Sequence, residues 1–147
     1  MKVSRAQCGE ELFAAVTPLL EQHFREVGNT AVYTLAPDWE KYRTLMSQGN
    51  LLALLAHEGE DCIGYSVSFM TPHVHYVGSK VCYNDVIFVR NDLRSGLAGA
   101  KLIAHTKAYA LAEGVDVMQW HAKPNTQLNT ALSKRLPVFE HVYSERL

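Results

Sequence analysis

The chain lacks most of what would mark a specialised partner or compartment. Its three cysteines, Cys8, Cys62 and Cys82, stand far apart with no C-x-x-C pair. An odd, scattered set excludes a disulfide frame and reads as reduced thiols in a cytoplasmic protein. Fourteen Lys and Arg nearly balance fifteen Asp and Glu for a net charge of −1, and no basic block occurs, so nucleic acid is not an expected partner. The longest apolar run, residues 51–56, is too short to span a bilayer, and no leader-like apolar segment opens the chain, so no membrane association is expected. Repeats and low-complexity linkers are missing too, and a single domain over residues 1–147 is expected.

What is present has the balance of a folded domain, 48% hydrophobic and 20% charged over 147 residues, enough for a sizeable core. Residues 1–5 read as a short strand. Leu12, Val16, Leu19, Leu20, Phe24 and Val27 then form a helical stripe that Gly28 ends. Pro18 inside it either kinks the helix or restarts it with Thr17 as N-cap. Residues 29–36 read as a loop, and Pro37-Asp38 opens a second helix to about Gln48, with Trp39, Tyr42 and Met46 inward. Residues 51–57 are almost wholly apolar, as suits a central strand covered on both faces. Across a polar turn at residues 58–61, Ile63, Tyr65, Val67 and Phe69 alternate with Gly64, Ser66 and Ser68 in an antiparallel partner. Residues 71–80 are looser. Residues 115–122 read as a strand closing a β-α-β crossover. Residues 123–126 cap a short helix carrying Leu128, Ala131, Leu132 and Leu136, Pro137 stops it, and Phe139, His141 and Tyr143 alternate in a last strand.

Residues 85–103 organise the rest. On simple alternation, Tyr83, Asp85, Ile87 and Val89 share one strand face, with Asn84, Val86 and Phe88 on the other. Asn91-Asp92 supplies turn chemistry. From Gly99, the residues Leu102, Ile103, Thr106, Tyr109 and Ala110 recur at helical spacing until Gly114 caps the run. A strand feeding a glycine-bearing turn into a helix leaves N–H groups pointing outward with the helix dipole behind them. That is an anion site suited to phosphate.

The spacing of Arg94, Gly99, Leu102 and Ile103 after Val89 resembles motif A of the GNAT superfamily of acyl-CoA-dependent N-acetyltransferases. In that motif a loop of the form Gln/Arg-x-x-Gly-x-Gly/Ala holds the coenzyme A pyrophosphate. Arg94 and Gly99 match its first and last positions, Leu97 stands at the middle glycine, and Gly96 lies one place earlier. The order β-α-α-β-β-β-α-β-α-β extends the resemblance over nearly the whole chain. It implies an α/β (α+β) GNAT fold, a mixed, mostly antiparallel central sheet flanked by helices. His23-x-x-Glu26, Pro72-His73-Val-His75-Tyr76 and Asn84-Asp85 are similar to patterns in small phage and bacterial members.

The resemblance implies acetyl-CoA as cofactor and transfer of its acetyl group to a primary amine by direct attack in a ternary complex. The loop Arg94, Ser95, Gly96, Leu97, Ala98 and Gly99 would hold the diphosphate. The backbone of Phe88 and Val89 would align the pantetheine arm between splayed fourth and fifth strands, and Asn125 or Thr126 would bond it. An amine with a pKa of about 10 must lose a proton before it attacks, and the oxyanion must be stabilised. Asp85 is one candidate base; the competing reading is a carboxylate satisfied by neighbouring hydroxyls or a helix start. Glu26, one turn after His23, either binds a cationic substrate or forms a helix-surface pair. His73 and His75 share a face of an extended segment and suit base or relay work, or else bond loop backbone. Ser133 occupies the place of the family's usual acidic tyrosine, which leaves Tyr143 or departure of the thiolate into water.

Two other readings compete. His73, His75, Asp85 and His121 are of the types that ligate zinc in a hydrolase, though the Arg94–Gly99 loop then has no role. A non-catalytic acyl-CoA-binding module fits the missing tyrosine. The acceptor is open among small amines, amino acids, antibiotics and protein termini, as is a homodimer. Trp39, Tyr42, Tyr65 and Tyr76 either line an acceptor pocket or pack in the core.

Overall fold

Residues 51–56 are all buried, and this apolar run builds the middle of a sheet covered on both faces. The computed structural model describes every residue except Ser95. Its elements are β1 (Lys2–Arg5), α1 (Gly9–Val27), α2 (Trp39–Ser47), β2 (Leu51–Glu58), β3 (Asp61–Pro72), β4 (Lys80–Val89), a 3-10 turn (Asn91–Leu93), α3 (Ala98–Ala112), β5 (Val117–Trp120) and α4 (Gln127–Ser133). The strands lie in chain order, β1 to β4 antiparallel and β5 parallel to β4 through the α3 crossover. The expected mixed sheet flanked by helices is what forms.

Two apolar layers follow from strand alternation. On one face, α3 lays Ala98, Leu102 and Ala110 over Leu52, Leu54, Cys82 and Val89. On the other, α1 lays Leu12, Val16 and Leu19 over Leu51, Leu55, Val67 and Phe88, with Trp39, Tyr42 and Met46 of α2 beside them. Asp38 caps α2 by accepting from the Lys41 N–H at 3.0 Å. Gly114, at φ 75°, ends α3: its N–H donates to Leu111 O, and the Val115 N–H donates back to Ala110 O. Among the described residues no helix is long and apolar enough to cross a membrane.

Four expectations need correction. Helix α1 runs through Pro18 without restarting; Thr17 is not an N-cap, since its hydroxyl donates back to Phe13 O at 2.6 Å. The alternation assigned to β4 breaks at a bulge: Val67 faces Val86 while Ser68 faces Asn84, which leaves Asp85 without a partner. Asn84 therefore turns to the α3 side with Ile87 and Val89, away from Val86 and Phe88. Strand β5 and helix α4 are shorter than read, and the α4 end closes when the Arg135 and Leu136 N–H groups share Leu132 O. Finally, residues 139–143 form no strand. A strand needs a neighbour to bond; here Phe139 and Tyr143 stand 80% and 90% exposed.

Candidate active site

Strand β4 outruns β5. Their pairing stops at Asn84 opposite Trp120, where the His121 N–H donates to Asn84 O at 3.2 Å. The Arg90 N–H donates to Ile63 O at 2.8 Å, toward β3. Alternation then turns the N–H and C=O of Val89 to the opposite edge, into the gap left by β5. There Val89 O accepts from Arg94 Nε at 2.7 Å.

Just past this split the chain turns into α3. Within the turn, Arg94 N–H donates to Asn91 O and Gly96 N–H donates to Leu93 O, so Gly96 has spent the donor expected of it. The α3 ladder begins at Lys101 N–H to Leu97 O. Among the described residues the N–H groups of Leu97, Ala98, Gly99 and Ala100 find no backbone acceptor, as at any helix start. A Cβ built on Gly99 would meet no atom within 4 Å, so the space in front of it is open. Donors, dipole and open approach fit a diphosphate. Ser95, also expected in this loop, lies outside the described residues.

Arg94 faces inward. Besides Val89 O it bonds Asn91 Oδ1 and the Glu26 carboxylate, with its guanidinium 5.3 Å from the Phe88 ring centroid. Glu26 is thus a tertiary ion-pair partner, not only a helix-surface residue. Lys123 donates to Val27 O, bringing residues 123–126 against the end of α1. Thr126 is committed to capping α4 through Asn129 N–H, while Asn125 is exposed with a left-handed φ of 63°.

On the other sheet face, between α1, α2 and the segment joining them, lies a cavity of about 300 Å³. Val16, Leu20 and His23 of α1 form one wall, Trp39 and Tyr42 another, and Tyr65, Val67 and Val86 the floor. His23 Nδ1 sits 2.5 Å from Tyr65 OH, and its ring stacks on Phe88 at 4.8 Å. Burial, helped by the Arg94 and Lys123 cations and opposed by Glu26, pushes His23 down to about 4. Burial raises the Tyr65 phenol well above its ordinary range. Tyr42 is raised as well, by burial and then by the Asp85 carboxylate. At neutral pH the imidazole and both phenols are uncharged.

The structure brings Glu26, Arg94 and Phe88 together beside the split, and sets Asp85 at the bulge, exposed and outside the cavity's lining residues. It does not bring His73 and His75 there. They occupy the exposed turn after β3, with the His75 N–H donating to His73 Nδ1 at 3.2 Å. Pro72 pairs with Lys80, whereas the cavity residues Tyr65 and Val67 pair with Phe88 and Val86 at the other end. Tyr76 shares that turn, 64% exposed. Among the described residues no three His, Cys, Asp or Glu converge as metal ligands, so His73, His75, Asp85 and His121 do not form the alternative zinc set. Ser133 Oγ donates to Thr130 O on α4. His23 as a cavity residue was missed, although it continues the α1 stripe Val16, Leu20, Val27: a titratable group on an apolar stripe was the available signal.

A strand that outruns its parallel neighbour beside an open helix start gives the class of fold that comparison with known proteins identifies. Residues 13–136 match the acetyltransferase (GNAT) family, and the chain belongs to that family of enzymes. Solved structures agree in fold. An aminoglycoside acetyltransferase, meta-AAC0020, from an uncultured soil metagenomic sample in complex with sisomicin, superposes with a TM-score of 0.76 at 20% identity, over 99% of this chain and 94% of that one. A ribosomal-protein-alanine N-acetyltransferase from Brucella melitensis biovar Abortus 2308 gives 0.74 at 16% identity over 100% of both. A second metagenomic aminoglycoside acetyltransferase, HMB0005, gives 0.74 at 21% over 99% and 96%. No curated protein matches the sequence. The likeness to small phage members is not what these matches show.

Proposed function

We propose that the protein transfers an acetyl group from acetyl-CoA to a primary amine, both held at once, with residues 1–147 acting as one domain. One observation carries this reading: among the described residues α3 begins with N–H donors that have no backbone acceptor and with open space at Gly99, beside the point where β4 leaves β5. The amides of Leu97, Ala98, Gly99 and Ala100 would hold the diphosphate, and the Val89 backbone with Asn125 would border the arm. When bound, acetyl-CoA supplies the activated acetyl thioester. The chain's own residues bind the amine, exclude water and take a proton. The cavity walls shield the amine, and Asp85, exposed at the bulge next to the lining residue Val86, is the proposed proton acceptor. His23, neutral and beside Phe88, orients the amine. Glu26, tied to Arg94, and the remote His73 and His75 take no part in proton removal.

Acetyl-CoA at a hundred times its Kd should stabilise the fold by about 2.7 kcal/mol, roughly 5–10 °C in Tm for a chain of this size. Gly99→Glu points a carboxylate into the open space where the diphosphate would lie, and should abolish the shift while leaving the unliganded Tm near that of the wild type. A variant that still shows the full shift would reject the loop assignment. Free thiol released with an amine present then separates an enzyme from a mere binder.

A further inference from the structure

The acceptor's chemistry is written in the cavity walls. Among the described residues none of the lining side chains is Asp, Glu, Lys or Arg; the polar groups are His23, Thr34, Tyr42 and Tyr65, and the rest is aliphatic or aromatic. The acidic side chains of α1 nearest the cavity are already matched. Glu26 is held by Arg94, and Glu21, on the outer surface of α1, is held by Arg25. Asp85, exposed at the β4 bulge, is not among the residues that line the cavity. Trp39 is braced in place by Phe13 at 4.3 Å and Tyr42 at 5.5 Å between ring centroids, so the aromatic wall is built before a ligand arrives.

Resting on the acetyl-transfer reading, we propose that the acceptor is a primary monoamine on an apolar, aromatic-sized body. The cavity, about 300 Å³, is at the small end of ligand sites. Its polar pair, His23 and Tyr65, sits beside Phe88 and therefore at the split side, which orients the amine inward. The apolar body then lies against Trp39, Leu20 and Leu35. Apolar walls also disfavour the ammonium form, so a single amine is eased toward the neutral nucleophile on entry. A polycation pays that desolvation at every further ammonium with no carboxylate to meet it. A peptide terminus brings amide groups for which these walls hold few partners.

Trp120→Phe leaves Trp39 as the sole tryptophan, a fluorophore in the cavity wall. Titration of this variant, without acetyl-CoA, compares phenethylamine, spermidine and an alanine-led tripeptide. Phenethylamine should bind at least tenfold more tightly than either other probe. Equal or reversed affinities, or no saturable phenethylamine binding, would overturn the proposal. Leu35→Glu, on the partly exposed loop, adds a carboxylate to the wall and should shrink the phenethylamine-to-spermidine ratio at least threefold; an unchanged ratio counts against the cavity. With acetyl-CoA added, thiol release fastest with spermidine or the peptide overturns the acceptor class while acetyl transfer stands. Tight phenethylamine binding with no thiol released by any amine does the reverse: the cavity's preference stands and acetyl transfer falls.

Discussion

Asn84 has no exposed surface, yet it carries a full amide into the α3 side of the sheet. Its Nδ2 lies 3.0 and 2.9 Å from Ser66 Oγ and Ser68 Oγ, and 3.1 and 3.2 Å from Val67 O and Val86 O. Those two carbonyls flank the bulge, so the side chain stitches β3 to β4 where Asp85 has been squeezed out of the ladder. Thr106 extends the network into α3 by donating to Ser66 Oγ at 3.0 Å. Among the described residues the amide oxygen, Oδ1, has no partner, which offsets part of the gain. Asn84→Ala removes the buried amide donor shared among these acceptors and leaves a cavity, and should cost about 2–4 kcal/mol in urea unfolding. A loss below about 1 kcal/mol would mean the strands hold the bulge unaided. The Asn84-Asp85 pair was visible in the sequence, but alternation assumes one residue per step and cannot show a bulge. The bulge is what sends Asn84 into the core and leaves Asp85 exposed and out of the ladder.

At the scale of elements, the end of α3 gives the sharpest test. Gly114 holds φ 75°, where any side chain crowds its own backbone, and no neighbour would touch a new Cβ there. Gly114→Ala should therefore cost about 1–2 kcal/mol of stability through backbone strain alone; no measurable change would show that the crossover into β5 needs no left-handed turn. That cap was legible because a glycine after an apolar run has one common use. So were the stripe of α1, the buried run of β2 and the Asp38 cap, all fixed by neighbours a few positions away. Tertiary facts were not. Arg94 matches the family loop by spacing, yet its guanidinium reaches Glu26, 68 positions distant. Phe139, His141 and Tyr143 alternate well, but alternation says which side chains share a face and nothing about whether an edge stands ready to pair.

For the molecule as a whole, His23 couples the fit of α1 on the sheet to pH. In the fold it titrates at about 4, against 6.5 for an ordinary histidine. Between those values the unfolded chain binds more protons than the folded one. Stability is therefore full above about pH 6.5 and declines as the pH falls toward 4. The ceiling is about 1.4 kcal/mol per pH unit; because the ring is only partly buried and solvent screens it, roughly 1–3 kcal/mol over the interval is expected. The groups facing it set the sign: burial and the Arg94 and Lys123 cations resist protonation, Glu26 alone favours it, and Tyr65 accepts or donates without charge. His23→Gln keeps a hydrogen-bonding partner for Tyr65 but removes the proton site. Between pH 7.5 and 5, urea midpoints should show the wild type losing roughly 1–2 kcal/mol more than this variant. Parallel losses in the two proteins would place His23 in water at equilibrium, and with it open the wall on which the acceptor cavity depends.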